Sequence, residues 1–389
     1  MNLLTKVDEI KKYFPNHSKF ILRTFLILLG CILDLRTVCL YKCKDKVSRI
    51  TGNFKSTTAS HYKLLLRFFS IDQIDQFCES VFILILSLLN VSSEYLSLDR
   101  TNWKLGQKNI NLLTLGLVWK KCFIPLCWIQ LDKRGNSNYE ERKTLINRFI
   151  KLWKKAGREI VGMILIGDRE FIGYKWMEFL QKAKMSFIFR LRDNMYVELQ
   201  TYLSGKHRKS LKYFSKYIEK YGIYALPIEL NGFIYRIVMI KNTKHDPQEP
   251  YLYFISDLQN ARQIAEEYLK RWSIECCFKH LKTNGFNLEA MNFKDDKKIT
   301  LMMAVVAVVY ALALREGLLC LLNKTIPIKK YKNGKQYLSI SVFRKGMEEI
   351  EQIVSNAWEL ICYVIGIINL NKNSSLNPLT NKEWSKNVQ

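Results

Sequence analysis

The order of the segments that follow residue 94 constrains the fold of this chain most strongly. Three stretches rich in β-branched and aromatic residues come one after another with short polar breaks: EYLSLDRT, INLLTLGLVW and CFIPLCWIQLD. The helical pattern EERKTLINRFIKLWKKA follows, then the strand pattern IVGMILIGD, the helical pattern FIGYKWMEFLQKA and the strand pattern MSFIFRLR. These patterns predict the order βββαβαβ. A meander followed by alternating helices and strands indicates an α/β fold with a mixed sheet.

The segments on either side of this core predict three parts of the chain. Residues 1–90 carry long periodic apolar stretches without strand alternation, which predicts a helical N-terminal domain. Residues 91–323 contain the α/β core, with a β-rich insertion at about 193–256, where the Asn-Gly in YALPIELNGFIYRIVMIKN indicates a hairpin turn. Residues 324–389 predict a helical C-terminal region that ends in a polar, Asn-rich tail interpreted as disordered.

The charge of the chain indicates a polyanionic partner. The sequence has 61 Lys and Arg against 35 Asp and Glu, a formal net charge of +26 that is spread over its whole length. Such an excess repels itself unless an anion neutralises it. Nucleic acid is the leading candidate, and an anionic membrane surface is the alternative.

The apolar segments favour a buried core over a membrane. The run ITLMMAVVAVVYALAL, residues 299–314, is shorter than the roughly 20 residues of a typical transmembrane helix. The N-terminal residues lack the pattern of a signal peptide, so a cytoplasmic location is expected. The 10 Cys are scattered without a C-x-x-C pair and there are 5 His, a pattern that does not indicate structural zinc.

The N-terminal region contains a possible DNA-reading unit. VCLYKCKDKVSRI and KSTTASHYKLLLRFF are joined by TGNF, which predicts two helices around a Gly-containing turn. Ser56, Thr57 or Thr58 could cap the second helix, and Lys63 and Arg67 lie on it. A helix-turn-helix DNA reader is one interpretation, and an ordinary helical hairpin is the other.

One acid is surrounded by cations in YLKRWSIECCFKHLK, residues 268–282. On a helix, Tyr268, Arg271, Glu275 and Lys282 fall within roughly 60° of one another, and Glu275 is the only acid on that stripe. The stripe is either a salt-bridged surface or part of a site.

Two further acids stand at the ends of predicted strands, Asp99 in LSLDRTNW and Asp168 in ILIGDREF. Alone, each could merely end a strand or cap a helix. Together with Glu275 they can converge at one edge of the sheet, where three carboxylates would bind two Mg²⁺ or Mn²⁺ ions. Such a pair of ions promotes in-line displacement at a phosphodiester. The spare acids, should one of the three be misassigned, are Asp132, Glu170 and Asp193.

These residues resemble the DDE transposases of bacterial insertion sequences, in the subgroup with a Y-x2-R-x3-E-x6-K signature (the insertion-sequence-four-like family). Tyr268, Arg271, Glu275 and Lys282 match every interval of the signature. SLDRTNWKLG and IGDREF resemble the two aspartate motifs of the group, and FRLR resembles the basic strand after the second motif. The resemblance extends from about residue 94 to 293.

The resemblance implies a ribonuclease-H-like core, a mixed five-stranded sheet with flanking helices interrupted by the β-rich insertion. It implies that Asp99, Asp168 and Glu275 bind two Mg²⁺ ions, for which Mn²⁺ substitutes. The residues expected to contact DNA are Tyr268, Arg271, Lys282, Arg190, Arg192 and Lys279. Arg190 and Arg192 would share one face of a strand by alternation, and sheet-edge solvation is the other explanation for that pair.

The implied function is cut-and-paste DNA transposition, in which the enzyme cleaves the ends of the element and joins them to target DNA. The implied partners are double-stranded DNA, both terminal inverted repeats and target, and a second copy of the chain. The homodimer would form on DNA, in the bacterial cytoplasm at the nucleoid. Residues 345–369 could be its interface, or could equally pack within the chain. The alternatives are an inactive protein that binds transposon ends, and a ribonuclease-H-like nuclease without joining activity.

One feature departs from the family pattern. Members of the group cut the second strand through a DNA hairpin, aided by a flipped base stacked on an aromatic residue, often a Trp of the insertion. Residues 193–250 contain no Trp, although they include Tyr213, Phe214, Tyr217 and Tyr235. Tyr can substitute for Trp in such stacking, which contributes about 1 to 3 kcal/mol per base. Trp103 and Trp272 lie near the predicted site and could equally pack in the core.

Overall fold

The N-terminal region is helical, as predicted. The structure is a computed structural model that describes residues 3–201, 205–242, 247–331, 334, 336–353 and 357–370. The first six helices are α1 Leu3–Lys11, α2 Lys19–Leu35, α3 Leu40–Cys43, α4 Val47–Thr51, α5 Thr58–Phe68 and α6 Ile74–Leu89. Thr57 caps α5, because its hydroxyl accepts a hydrogen bond from the backbone N–H of Ser60 at 3.2 Å. Gly52 ends α4 with a positive φ of 67°, so the predicted Gly-containing turn is confirmed. The segment VCLYKCKDKVSRI, predicted as one helix, instead forms the two short helices α3 and α4.

The predicted order βββαβαβ is also confirmed. The elements are β1 Tyr95–Leu105, β2 Lys108–Trp119, β3 Cys122–Gln130, α7 Tyr139–Lys155, β4 Ile164–Gly167, α8 Tyr174–Lys182 and β5 Ser186–Arg190. Asn138 and Glu141 form a capping box at the start of α7, since each side chain bonds to the backbone N–H of the other residue.

The insertion contributes five strands and a short helix. They are β6 Tyr196–Thr201, β7 Gly205–Ser210, α9 Ser215–Tyr221, β8 Ile223–Leu230, β9 Phe233–Lys241 and β10 Tyr251–Ser256. β8 and β9 form the predicted hairpin, and its turn residues Asn231 and Gly232 have φ values of 50° and 78°. Positive φ at both positions is what a tight two-residue hairpin turn requires.

The main sheet has eight strands in the order β3-β2-β1-β4-β5-β10-β9-β8. β1, β4 and β5 are parallel, and the remaining neighbours are antiparallel. The expected five strands are therefore present, but they do not form the whole sheet, because three insertion strands extend it beyond β5. β10 pairs with β5 through Phe254 and Arg190, which satisfies backbone groups that an edge strand would leave open.

The helix expected around Glu275 is interrupted. α10 Ala261–Tyr268 is capped by Asn260, a short 3-10 turn spans Leu269–Arg271, and α11 Trp272–Leu281 follows. Lys282 lies beyond the end of α11, so the prediction of one continuous helical stripe is wrong for this residue. A 3-10 turn has three residues per turn, so side chains on either side of it do not keep the 3.6-residue spacing.

The C-terminal part begins with the long helix α12 Asp296–Leu322. It is followed by β11 Ile328–Lys330, β12 Gln336–Leu338, α13 Val342–Ile353 and α14 Ala357–Leu370. The predicted helical C-terminal region thus contains α13 and α14, and residues 354–356 between them are outside the described part of the chain. The Asn-rich tail expected to be disordered also falls outside it, at residues 371–389.

α12 is the central helix of the core. It packs against α2, α6, α13 and β3, and its residues from Leu301 to Leu318 are buried. Among the described residues it alone is long and apolar enough to span a membrane, but 78% of its apolar window lies inside the protein. A helix that is apolar on every side is typical of a protein interior, so the predicted buried helix is confirmed.

The sheet is covered on both faces. Ile164 and Ile166 of β4 pack with Ile264 and Tyr268 of α10 on one face, whereas Leu165 faces the large cluster on the other. That cluster also includes side chains of the N-terminal helices and of α12. One core therefore continues from the N-terminal region into the sheet, and the predicted boundaries at residues 90 and 323 stay predictions.

Candidate active site

The pairing of β1 with β4 brings the two aspartates together. Leu98 of β1 pairs with Gly167 of β4 in the parallel register. Asp99 directly follows Leu98, and Asp168 directly follows Gly167. Side chains at equivalent positions on neighbouring strands lie close together. The two acids therefore lie side by side where β4 ends. The prediction that Asp99 ends its own strand is wrong, because β1 continues to Leu105 in its pairing with β2.

Arg271 connects Asp99 to Glu275. Its Nη1 lies 3.2 Å from Oδ2 of Asp99, and its Nη2 forms an ion pair with Oε1 of Glu275. The side chains of Arg271, Asp99 and Glu275 are 12%, 21% and 30% exposed. The pairs are therefore largely shielded from solvent, which strengthens their interaction.

The pKa values indicate that Asp168 belongs to the same cluster. Burial raises the pKa of Asp99 to about 6, and Arg271 opposes that rise. The negative charges of Asp168 and Glu275 raise the pKa of Asp99 further. Burial acts to lower the pKa of Arg271, but the neighbouring acids and Tyr268 outweigh it, and the net shift is upward. Asp168 therefore lies within electrostatic reach of the guanidinium that pairs with Asp99 and Glu275.

The chemistry of these residues fits a divalent cation. Oδ1 of Asp168 is buried and has no hydrogen-bond partner in the described part of the chain, so this oxygen lacks the partner that a bound cation would supply. The three acids bring three negative charges, and Arg271 offsets one of them. Oxygen donors with excess negative charge are what Mg²⁺ and Mn²⁺ prefer. In this arrangement, in which Arg271 pairs with Asp99 and Glu275, no group of three acidic, His or Cys side chains among the described residues forms a ready metal site.

The other two signature residues occupy different environments. Tyr268 is buried, and its ring packs against that of Phe254 with 4.6 Å between the centroids. Lys282 donates a hydrogen bond to the backbone carbonyl of Asn102 at 2.8 Å and lies 3.1 Å from a carboxylate oxygen of Glu289. Its ammonium group also lies 5.3 Å from the ring of Trp103.

The basic residues around β5 are separated from one another. β5 ends at Arg190, and Arg192 is exposed beyond the strand, so strand alternation does not place the two arginines on one face. Arg190 lies 2.5 Å from Oε2 of Glu249, and Arg169 pairs with the other oxygen of the same carboxylate. Lys279 is exposed on α11.

Aromatic residues of the insertion differ in accessibility. Tyr213 is exposed, with the ammonium groups of Lys209 and Lys216 within 5.0 Å of its ring centroid. Phe214 and Tyr235 are buried. Among the aromatic candidates of the insertion, Tyr213 is thus better exposed for stacking than these two. Trp272 is exposed beside Lys279, with 5.5 Å between the ammonium and the ring centroid.

Sequence reasoning missed a buried network beside the aspartates. Nε of Arg100 lies 2.6 Å from Oε2 of Glu170, and Oε1 of Glu170 accepts hydrogen bonds from the backbone N–H and hydroxyl of Ser137 at 2.7 Å. Arg100 follows Asp99 directly, and Glu170 is two residues after Asp168. Glu170 is therefore held by this network, whereas the other two spare acids, Asp132 and Asp193, are exposed. The signal available in the sequence was that each of these residues lies within two positions of one of the two aspartates.

The sequence of residues 99–312 matches the family model described as the transposase DDE domain. This match covers more than half of the 389 residues and contains Asp99, Asp168 and Glu275. The chain belongs to the DDE transposase family, and this membership supports a DNA transposase function.

Comparison with solved structures gives a match to a chain of a cryo-EM structure of a piggyBac transposase synaptic complex with hairpin DNA. The match has 11% sequence identity and a TM-score of 0.45, and covers 95% of this chain and 78% of the other. No curated protein matches the sequence significantly.

Proposed function

We propose that this chain is a metal-dependent DNA transposase that cleaves phosphodiester bonds at the ends of a mobile element and joins the freed ends to target DNA. The observation that carries the proposal is the clustering of Asp99, Asp168 and Glu275 around Arg271. The five strands β3-β2-β1-β4-β5, with β1 antiparallel to β2 and parallel to β4, support a ribonuclease-H-like core.

The three carboxylates would hold two Mg²⁺ ions, or Mn²⁺ in their place. When bound, such ions activate an attacking water or hydroxyl and stabilise the leaving oxygen of the phosphodiester. Arg271 offsets part of the negative charge of the acids. With cations among the carboxylates, its guanidinium would be free to pair with a DNA phosphate, for which its planar geometry is suited.

The expected DNA contacts divide into direct and indirect ones. Arg192 and Lys279 are exposed and would contact phosphates directly. Arg190 would do so after exchanging the carboxylate of Glu249 for a phosphate, since both anions accept hydrogen bonds from guanidinium groups. Tyr268 is buried, with its ring centroid 5.8 Å from the guanidinium carbon of Arg271, so we assign it the positioning of that arginine.

Lys282 would bind a phosphate at the margin of the site. Its present partners are a backbone carbonyl and Glu289, which a phosphate could replace. An ammonium group acts here as a mobile point charge.

The DNA partners would be the terminal inverted repeats of the element and the target duplex. Two ends must be cut and joined together, so a homodimer on DNA is proposed, with α13 and α14 as its interface. A bacterial insertion sequence would place this protein in the cytoplasm, at the nucleoid. The N-terminal residues Lys63 and Arg67, exposed on α5, would add contacts as part of a DNA-reading unit.

A cleavage assay tests the proposal. Duplex DNA that contains the element ends is incubated with Mg²⁺ or Mn²⁺ and the parent protein, or with Asp99→Asn, Asp168→Asn or Glu275→Gln. Each substitution should lower the nicking rate by about 100-fold or more, because each removes a ligand that positions the ions. Glu140→Gln, which changes an exposed acid outside the candidate set, serves as the control and should retain activity.

Full activity in any of the three variants would remove that residue from the site. A parent protein that binds the ends but does not nick them in Mn²⁺ would favour the inactive end-binding protein. A parent protein that nicks DNA but does not insert a pre-cut end into a plasmid would favour the nuclease without joining activity.

A further inference from the structure

The segment after α12 concentrates positive charge. Residues 317–347 contain no Asp or Glu, and their basic residues are Lys324, Lys329, Lys330, Lys332, Lys335, Arg344 and Lys345. Within this segment, β11 and β12 form a two-stranded antiparallel sheet of their own, separate from the main sheet. Lys329 pairs with Tyr337, and Lys330 pairs with Gln336. We refer to residues 328–331 and 336–338 as the basic ribbon.

The side chains of the basic ribbon are exposed. Ile328, Tyr331 and Tyr337 are 51%, 55% and 55% exposed, and Lys329 and Lys330 are exposed beside them. The rings of Tyr331 and Tyr337 contact each other edge to face, with 5.6 Å between centroids. Within the described residues, no carboxylate forms a salt bridge with Lys329 or Lys330. Exposed aromatic residues among unneutralised cations are typical of a binding surface.

The base of the ribbon is anchored to the core. Ile326 is buried, and the backbone N–H of Ser339 donates a hydrogen bond to the carbonyl of Pro327 at 2.7 Å. The ribbon follows the C-terminal end of α12, whose N-terminal end is joined to β2 by the 2.5 Å ion pair of Lys108 with Asp296. A helix of 27 residues is about 40 Å long, so the ribbon is displaced along the molecule from that pair.

We propose that the basic ribbon binds double-stranded DNA outside the candidate active site. This inference extends the proposed function, on which it rests, by adding a second DNA contact on the C-terminal region. Its cations match a polyanion, and a two-stranded ribbon fits the major groove of DNA. The tyrosines present hydroxyl donors and apolar ring faces to the sugar-phosphate backbone.

A binding experiment over a range of salt concentrations tests the ribbon. The affinity of the full chain for a 40-base-pair duplex of mixed sequence is measured by fluorescence anisotropy, for the parent and for the double variant Lys329→Gln with Lys330→Gln. Two lost phosphate contacts should lower affinity about tenfold or more at 0.1 M salt, and should reduce the slope of log affinity against log salt by about 1.8.

The matched control is Lys151→Gln with Lys155→Gln. These lysines of α7 are 73% and 62% exposed, and the double variant changes the net charge by the same amount. The control should lose less than about threefold in affinity, with little change in slope. A Tyr337→Ser variant should also bind the duplex more weakly than the parent. This substitution leaves the net charge unchanged, so a general electrostatic effect would not explain the loss.

Three results would overturn the inference. Equal losses in the ribbon variant and the control would show a general charge effect. Unchanged DNA binding with lost binding to vesicles rich in phosphatidylserine would identify a membrane instead. Unchanged DNA binding with a lost dimer in sedimentation would identify a second copy of the chain.

Nicking is measured separately on the same proteins, which distinguishes this inference from the proposed function. If the parent nicks DNA and the ribbon variant binds DNA as well as the parent does, the inference about the ribbon fails and the proposed function stands. If the parent does not nick DNA but the ribbon variant binds DNA more weakly than the parent does, the proposed catalytic function fails and the inference about the ribbon stands.

Discussion

Arg271 is the residue on which the charge of the candidate site depends. It pairs with Asp99 and Glu275, and it lies within electrostatic reach of Asp168. Without the guanidinium, three partly buried acids would repel one another with no neutralising charge among them. The arginine therefore belongs to the structure of the site as well as to its expected contact with DNA.

Replacement of this arginine gives a prediction about stability. Arg271→Gln should lower the free energy of unfolding by roughly 2 to 4 kcal/mol in the presence of a chelator, because it leaves buried carboxylates unpaired. Addition of Mg²⁺ should restore more stability to the variant than to the parent, since the ion takes over the neutralisation. Urea unfolding with and without 10 mM Mg²⁺ measures both effects, with the exposed Arg262→Gln as control. An equal response to Mg²⁺ in variant and parent would contradict this account.

Asp99, Asp168 and Glu275 could be proposed from the sequence because of local patterns, although only Asp168 directly follows a strand and Asp99 lies within β1. The ion pairs around them could not be identified in that way. Glu249 reaches Arg169 and Arg190 only because β10 pairs with β5, and Arg100 reaches Glu170 only because β1 pairs with β4. Such contacts depend on tertiary structure, to which local spacing does not extend.

Among the elements, α12 and α13 approach each other unusually closely. A Cβ atom on Gly346 would lie 1.7 Å from the carbonyl oxygen of Ala313, and one on Gly317 would lie 1.8 Å from that of Val342. Both obstacles are backbone atoms, which cannot move without shifting a helix. The two glycines are therefore required by packing rather than by backbone conformation.

This packing predicts different outcomes for two Gly→Ala substitutions. Gly346→Ala should destabilise the protein by about 3 kcal/mol or more, because the helices must separate. Gly366→Ala in α14 meets nothing within 4 Å and should leave stability unchanged or raise it by about 1 kcal/mol, since Ala favours a helix. Thermal or urea unfolding compares the two variants. Similar melting temperatures would show that α12 and α13 are not in close contact.

His280 of α11 predicts a dependence of stability on pH. Its ring stacks on Phe343 with 4.4 Å between centroids, and burial lowers its pKa to about 4. As pH falls below about 6.5, His280 is protonated in the unfolded chain, whereas in the folded chain it stays neutral until about pH 4. This residue should therefore cost stability on acidification, by up to roughly 3 kcal/mol.

Unfolding in urea at pH 7.0, 5.5 and 4.5 measures the effect of His280. The variant His280→Phe keeps an aromatic ring against Phe343 and cannot be protonated, so its stability should fall less than that of the parent between pH 7.0 and 4.5. The same slope in both proteins would assign the acid sensitivity to other groups.

The order of the elements could be predicted from the sequence because hydrophobic periodicity is local. The eight-stranded sheet could not be predicted in this way. The position of β10, β9 and β8 beside β5 depends on which strands pair, and local conformation does not determine that pairing. The 3-10 turn at Leu269–Arg271 was missed for a similar reason. Its residues fit a helical pattern, and packing of the surrounding segments against β4 and β10 decides the local geometry.

At the scale of the whole molecule, two properties of the sequence have different consequences. The apolar content predicted a large core, and α12 lies at its centre, in contact with N-terminal helices and the sheet. The net charge of +26 predicted a polyanionic partner but not where it binds. Basic residues around the acids, on α5 and in the basic ribbon are three of the places where this charge lies. The first two are DNA contacts of the proposed function, and the third is the DNA contact inferred for the ribbon.

The most direct test of the central claim is the anomalous diffraction of Mn²⁺ in crystals of the protein. The account predicts two peaks about 4 Å apart, with oxygens of Asp99, Asp168 and Glu275 about 2.2 Å from the nearest ion and Arg271 displaced from the two carboxylates it pairs with here. Mn²⁺ bound elsewhere in the crystal but absent from these three side chains would contradict it.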